Sequence, residues 1–158
     1  MKRNILAALL VGLSCLAFVF PTHLMAQGAH TIEADEVRAH LESGDSVFRG
    51  NVVVVAPEYT IHAHELVVRF ATAGKQRSIQ KMEASGDVRL AYGDKQGFGE
   101  RLEYNAATAT FVLQNNARLV DAQGTIAAPM IRVNQQTQEI HIESTPTQRV
   151  RLTFEGQR

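Results

Sequence analysis

Along most of the chain apolar and polar residues alternate one by one, and the alternation slips by one residue at regular intervals. Leu66, Val68 and Phe70 alternate with Val67 and Arg69, and Val88 and Leu90 with Asp87 and Arg89. Leu102 and Tyr104 alternate with Arg101 and Glu103, and Ile140 and Ile142 with Glu139, His141 and Glu143. A period of two predicts strands with one apolar and one polar face. The slips follow a small residue. Ile61 and Ala63 point one way, yet the next aliphatic, Leu66, is three positions beyond Ala63. Such a slip turns a strand through a bend or bulge so that both of its arms keep their apolar side inward, and a small side chain at the bend avoids a clash there.

The slips belong to a repeat. One unit, isoleucine, small residue two on and aliphatic three beyond that, occurs as Ile32-x-Ala34-x-x-Val37, Ile61-x-Ala63-x-x-Leu66 and Ile126-x-Ala128-x-x-Ile131, with a degenerate copy at Gly97-x-Gly99-x-x-Leu102. A second unit places two turn-type residues before an apolar alternation, as Gly50-Asn51-Val52, Gly86-Asp87-Val88 and Asn115-Asn116-Ala117. The step from the second unit to the small residue of the first is 13 residues in all three copies, Gly50 to Ala63, Gly86 to Gly99 and Asn115 to Ala128. The return step is 16 residues from Ala34 to Gly50 and from Gly99 to Asn115, but 23 from Ala63 to Gly86, where residues 73–77 read as an inserted loop. The repeat predicts an all-β fold of stacked coils of about 29 residues, with corners at Ala34, Ala63, Gly99 and Ala128 and turns between strands at the glycine and asparagine pairs. Residues 33–43 also fit an amphipathic helix ending at Gly44. The opening of that segment recurs where helix is excluded, before Pro129 and before the β-branched run Val67-Val68, so it is read as strand.

Residues 1–26 stand apart. Lys2 and Arg3 precede an apolar run from Ile5 to Phe20, Pro21 ends the run, and Ala26 closes a short cleavage-type sequence. This is the layout of a secretory leader, and its 16 apolar residues fall short of the roughly 20 that span a bilayer. Residues 27–158 then form one domain. Cys15, the only cysteine, falls in the leader, so the domain has no disulfide, thiolate nucleophile or zinc-thiolate cluster. Loss of Lys2 and Arg3 leaves 14 basic against 16 acidic residues, a net of −2, which gives nucleic acid no basic footprint.

Catalytic and metal chemistry is thinly signalled. His62 and His64 share a strand face, but no third ligand accompanies them, and they read as solvated. Asp35, Glu36, Glu65 and Glu100 recur beside the corners and read as solvent-facing corner residues rather than an acid/base pair. Gly97-x-Gly99 lacks the third glycine and helix of a dinucleotide site. The reading is therefore of a protein with no catalytic residues, cofactor or metal. What remains is the apolar face: Val52, Val54, Ile61, Leu66, Val68, Leu90, Leu102, Tyr104, Leu113, Ile126, Ile131 and Val133 are expected to point inward, mostly aliphatic and without tryptophan. Periodicity alone leaves open whether they line a groove or fill a core. Stacking makes the first strand, with Ile32, Ala34 and Val37, and the last, with Val150, Leu152 and Phe154, the edges of the sheet, and Arg151 is expected to offer an outward N–H there, with Arg149 as the position for the other hydrogen-bonding register.

Taken together, Ile32-Glu33-Ala34-Asp35-Glu36-Val37, Val47-Phe48-Arg49-Gly50-Asn51-Val52, Gly97-Phe98-Gly99-Glu100-Arg101-Leu102-Glu103-Tyr104, Asn116-Ala117-Arg118-Leu119 and Ile126-Ala127-Ala128-Pro129-Met130-Ile131 resemble the periplasmic lipopolysaccharide-transport family LptA, of the OstA-like group. The resemblance implies a V-shaped β-jelly roll of stacked antiparallel strands with open ends. It implies a periplasmic carrier of lipopolysaccharide whose apolar β-groove, lined by the inward residues above, shields the acyl chains of lipid A. It further implies head-to-tail joining through the edge strands, with an LptC-like inner-membrane partner at the N-terminal edge, an LptD-like outer-membrane partner at the C-terminal edge, and homo-oligomers of such domains. Two other readings stand beside it: a membrane-anchored LptC-like component that keeps its leader, and a structural β-repeat scaffold with a filled core and no ligand. The leader reading predicts that mass spectrometry of the exported protein finds a mature chain starting near Gln27; residues 1–20 retained in the membrane fraction would contradict it.

Overall fold

The computed structural model describes residues 30–40, 44–73 and 76–154; the leader assigned to residues 1–26 lies outside the described residues. All regular structure among them is β: β1 (Thr31–Glu33), β2 (Glu36–Ala39), β3 (Asp45–Val55), β4 (Tyr59–Ala73), β5 (Gln76–Tyr92), β6 (Lys95–Asn105), β7 (Thr110–Asp121), β8 (Gly124–Asn134), β9 (Ile140–Glu143) and β10 (Arg151–Phe154). They form one antiparallel ten-stranded sheet in the order β1-β3-β4-β5-β6-β7-β8-β10, with β2 also on β3 and β9 also on β8. The amphipathic 33–43 segment is strand over 36–39, as the repeat requires.

Each long strand is bent once, and the bends line up. The ladder shifts register between Arg49 and Val52, between His62 and Glu65, between Ser85 and Val88, between Phe98 and Arg101, and between Gln114 and Ala117. At three of these shifts, β3 on β4, β5 on β6 and β7 on β8, two consecutive residues of the first strand oppose a single residue of the second, and both have positive φ: Gly50 and Asn51 at 75° and 45°, Gly86 and Asp87 at 80° and 46°, Asn115 and Asn116 both at 59°. These are the glycine and asparagine pairs expected as turns between strands. They are instead bulges inside strands, because the left-handed conformation that suits a hairpin turn also suits a bulge. Glycine is needed at the first position on two counts: beyond the φ, a Cβ at Gly50 would run into the Asp35 side chain and one at Gly86 into the His64 ring. The second residue is clasped across the corner, Asn51 Nδ2 donating to Asp35 Oδ2 at 2.9 Å and Asn116 Nδ2 to Glu100 Oε1 at 2.6 Å, while His64 Nε2 lies 3.8 Å from Asp87 Oδ2. So the acidic corner residues Asp35 and Glu100 hold the bulges from outside.

The line of bulges folds the sheet into two arms. The first arm holds β1, β10 and the parts of β3 to β8 at 52–55, 59–63, 88–92, 95–99, 117–121 and 124–128. The second holds β2, β9 and the remaining parts. The 13-residue step is thereby explained, since it runs from a bulge out along the first arm, round a tight turn and back to the corner. The true turns of that arm are at 57–58, 93–94 and 122–123. The longer 23-residue step is not a loop insertion: β4 and β5 are simply extended, pairing Phe70 with Ile79 and Ala71 with Ser78 beyond their neighbours.

Period two then places one apolar row after another across each arm. On the first arm Ile32, Val54, Ile61, Leu90, Gly97, Leu119, Ile126 and Leu152 lie side by side. On the second, Val37, Phe48, Leu66, Ala84, Leu102, Leu113, Ile131 and Ile142 form one row. Ala39, Ser46, Val68, Met82, Tyr104, Phe111, Val133 and Ile140 form the next. The outer face of the second arm carries cross-strand ion pairs instead, among them Arg49–Glu65 at 2.6 Å, Arg101–Glu83 at 2.7 Å and Arg69–Asp45 at 3.0 Å. They are about half exposed, so each adds little stability and chiefly keeps that face in water.

Corner residues Ala63, Ala117 and Ala128 are buried, and a Cβ on Gly99 would sit 3.1 Å from the Gln114 carbonyl oxygen. Ala34, on the edge, is only partly buried. Ala63→Leu and Ala128→Leu are each expected to destabilise the domain by about 1–3 kcal/mol through overpacking. Denaturant midpoints equal to the parent's for both would contradict the corner packing.

Candidate functional site

The inward faces of the two arms meet and form the site. Of the expected lining residues, Val52, Val54, Ile61, Leu66, Val68, Leu90, Leu102, Leu113, Ile131 and Val133 are buried in one cluster, with Tyr104 and Ile126 partly buried against it. The arms interlock: Leu113 of the second arm fills the space above Gly97 of the first, where a Cβ would come 2.6 Å from Leu113 Cδ1. Several of these side chains are wholly buried, Val54, Leu66, Val68 and Ile131 among them. The interior is thus packed side chain to side chain. The choice between groove and core that periodicity left open resolves, for the chain alone, to closed arms.

Away from the corner, where the arm tips approach each other, the lining changes from aliphatic to aromatic. Tyr59, at the start of β4 on the first arm, meets Phe111 of the second edge to face, with centroids 5.1 Å apart. Tyr104 stacks on Phe111 at 4.7 Å and reaches Tyr59 at 6.0 Å; Tyr92 stands 6.5 Å from Phe111, and His30 lies 5.9 Å from Tyr59. Gln138 Nε2, from the turn between β8 and β9, donates to Tyr92 Oη at 2.9 Å and ties the two tips together. Burial pushes the Tyr59 phenol up from its ordinary value, helped by Tyr104 and the Glu58 carboxylate, and burial also raises Tyr104. Both rings therefore stay neutral and apolar at physiological pH. Sequence reading found Tyr104 but passed over Tyr59 and Phe111. The signal was present, because Tyr59 continues the period of Ile61 and Ala63 outward and Phe111 continues that of Leu113; both fall outside the repeated units.

The edge residues Ile32, Ala34, Val37, Val150, Leu152 and Phe154 all lie on or beside β1, β2 and β10, each of which is paired on one side only. β9, with Ile140 and Ile142, shares the C-terminal edge with β10, a piece the sequence reading did not assign there. The apolar rows run out to these edges uncovered: Val37 is 54 % exposed, Leu152 50 % and Phe154 75 %. Ladder parity fixes which main-chain groups face outward. The Ala56 N–H donates to the Tyr59 carbonyl and His40 N–H to the Asp45 carbonyl. Carried strand by strand through the registers, this turns the N–H and C=O of Ile32 and Val37 outward at one edge and those of Ile140, Ile142, Leu152 and Phe154 at the other. The Arg151 N–H faces Ala127 of β8 instead, so the expectation of an outward donor at Arg151 shifts by one residue to Leu152. The outward-facing groups thus belong to the residues that prolong the apolar rows.

Elsewhere the chemistry is sparse. His62 and His64 are exposed, and among the described residues no cluster of His, Cys, Asp and Glu is arranged to hold a metal. A hollow of about 480 Å³ on the outer face of the second arm is lined by Arg69, Lys81 and Arg132 but equally by Asp45, Glu83 and Glu103, and so favours neither sign of ligand.

Residues 31–139 match the family model described as LptA/(LptD N-terminal domain) LPS transport protein. Among solved structures, the chain is similar to LptH, the LptA-homologous periplasmic component of the lipopolysaccharide transport device of Pseudomonas aeruginosa, with a TM-score of 0.73 over 82 % of this chain and 96 % of that one. The two are 15 % identical, so this likeness speaks to the fold. No curated protein sequence matches the chain.

Proposed function

Because this chain belongs to the LptA/(LptD N-terminal domain) family of LPS transport proteins, we propose that it carries lipopolysaccharide across the periplasm with the acyl chains of lipid A held between its two arms. The family is one of transport rather than catalysis. The observation that carries the reading is the pair of apolar faces whose three named rows continue to both edges, interrupted only by Ser46, with the Lys95–Asp121 pair confined to the tip of the first arm, and are left exposed at Val37 and Leu152. A scaffold that needed only a core would end those rows under a cap. A carrier that passes a chain to its neighbour needs them to run on.

The energetics favour this arrangement. An acyl chain of about 12 carbons gains roughly 9 kcal/mol when its methylenes leave water, at about 0.8 kcal/mol each. The packed interior supplies that environment once the arms part, because acyl methylenes replace the contacts the facing side chains lose. The aromatic tips and the Gln138–Tyr92 hydrogen bond are the contacts to be broken, and they are few beside the continuous corner. Photoreactive residues at Leu66, Leu102, Tyr104 and Ile131 are expected to crosslink lipopolysaccharide in cells. Crosslinks only from outward positions such as Arg69 and Glu103 would contradict the proposal. Delipidated protein that folds but fails to bind lipid A would favour the scaffold reading, for which the closed interior speaks, and a mature chain retaining its leader would favour the anchored LptC-like one.

Docking follows from the same geometry. The sheet has eight layers across, counting β1 with β2 and β9 with β10 as one layer each. Alternating strand direction over an even number of layers brings the C-terminal edge of one domain antiparallel to the N-terminal edge of the next. First arm meets first arm, and the rows join as Leu152 to Ile32 and Ile142 to Val37 of the following domain. An LptC-like domain at the N-terminal edge, an LptD-like domain at the C-terminal edge, or a further copy of this chain would each extend the apolar path in this way. Leu152→Pro is expected to weaken docking of such a domain about tenfold or more by removing an outward donor, whereas Leu152→Ala keeps the donor and should dock more strongly than the proline variant. A pull-down in which Leu152→Pro docks as well as the parent would exclude this edge as the junction.

A further inference from the structure

Tyr59 is 5 % exposed, and its hydroxyl oxygen is buried with no hydrogen-bond partner among the described residues. The ring is well housed by Phe111, Tyr104 and His30. Phenylalanine would supply the same ring without an unpaired hydroxyl, and Phe111 does so in the same cluster. A buried O–H without an acceptor lowers the stability of the closed state, since in the unfolded chain it bonds to water. Tyr92, by contrast, has its oxygen satisfied by Gln138.

The position of the hydroxyl suggests its partner. Tyr59 stands at the tip of the first arm, next to the 57–58 turn, whereas the aliphatic rows lead from there toward the corner. A chain lying with its methyl end near the corner would bring the oxygen-bearing end, an ester or amide carbonyl or a chain hydroxyl, to the level of Tyr59. Resting on the carrier reading above, we infer that the Tyr59 hydroxyl is a recognition donor, directed to the carbonyl or hydroxyl oxygen at the head of an acyl chain. It selects acylated lipids over plain hydrocarbon and fixes how deep a chain enters. Burial beside the Glu58 carboxylate keeps the phenol protonated, so the donor is present throughout the physiological pH range.

The test is Tyr59→Phe, which keeps the ring and removes only the O–H, measured with three probes: lipid A, a diacyl phosphatidic acid and its di-O-alkyl ether analogue of equal chain length. The parent is expected to prefer the diacyl over the dialkyl lipid by roughly fivefold, the worth of one neutral hydrogen bond. Tyr59→Phe should lose that preference by weakening on the diacyl lipid and lipid A alone, while the lipid-free variant melts at or above the parent. A preference unchanged in Tyr59→Phe, an equal loss on diacyl and dialkyl lipids, or a variant that melts below the parent would each overturn the donor role while leaving the carrier reading intact. A parent protein that binds none of the three lipids would overturn both.

Discussion

Everything in this structure depends on the phase change at the corner. A β-strand shows alternate faces, and at a sharp corner neighbouring strands must be matched in phase for the inner side of both arms to stay apolar. In β4, β6 and β8 the alternation slips by one position just after Ala63, Gly99 and Ala128, while in β3, β5 and β7 it runs on unbroken through a pair of positive-φ residues that oppose a single residue of the next strand. This works only if every strand pair bulges at the same level, which is why the bulge-to-corner spacing is constant in all three copies. The arm traversed in that step has fixed length. The other arm is free to vary, and it does so at β4 and β5.

Much of this is legible in the sequence, and the parts that are not fail for identifiable reasons. The strands, their inward residues and the corners follow from period two and its slips. The Gly50-Asn51, Gly86-Asp87 and Asn115-Asn116 pairs were expected as hairpin turns because side-chain chemistry reports backbone φ and not strand connectivity; a bulge and a turn ask for the same residues. The aromatic closure by Tyr59 and Phe111 falls at strand tips, outside the repeating units that drew attention to the aliphatic lining. The C-terminal edge was read as one strand at 150–154, whereas residues 144–150 divide it into β9 and β10 across the corner. The direction of the edge amides needs the whole ladder, since the hairpin bond at Ala56 sets, carried across every strand of the first arm, the parity that exposes Leu152 rather than Arg151.

The same geometry gives the interior two uses. With the arms closed, the facing rows are a hydrophobic core that stabilises a chain without disulfides in residues 27–158. In the proposed carrier role the arms part and the same rows become a solvent for hydrocarbon, one set of apolar contacts being exchanged for another of similar worth. Closure is reinforced at the tips, by aromatic contacts and the Gln138–Tyr92 bond, while the corner is covalently continuous through six long strands. The edges complete the design. Outward N–H and C=O groups sit on the residues that extend the apolar rows, so in the proposed docking main-chain pairing and continuity of the path would be satisfied by a single mode.

The central claim is that acyl chains enter between the arms, and it is tested most directly by holding the tips together. Residues 27–158 contain no cysteine, so Tyr92→Cys with Gln138→Cys in that stretch gives a single pair of thiols at the tips, to be joined by a short cleavable bis-thiol reagent. The joined protein should lose lipid A binding and recover it when the linker is cut, with its thermal stability showing that it remains folded throughout. A joined, folded protein that binds lipid A as tightly as the cut one would contradict the account.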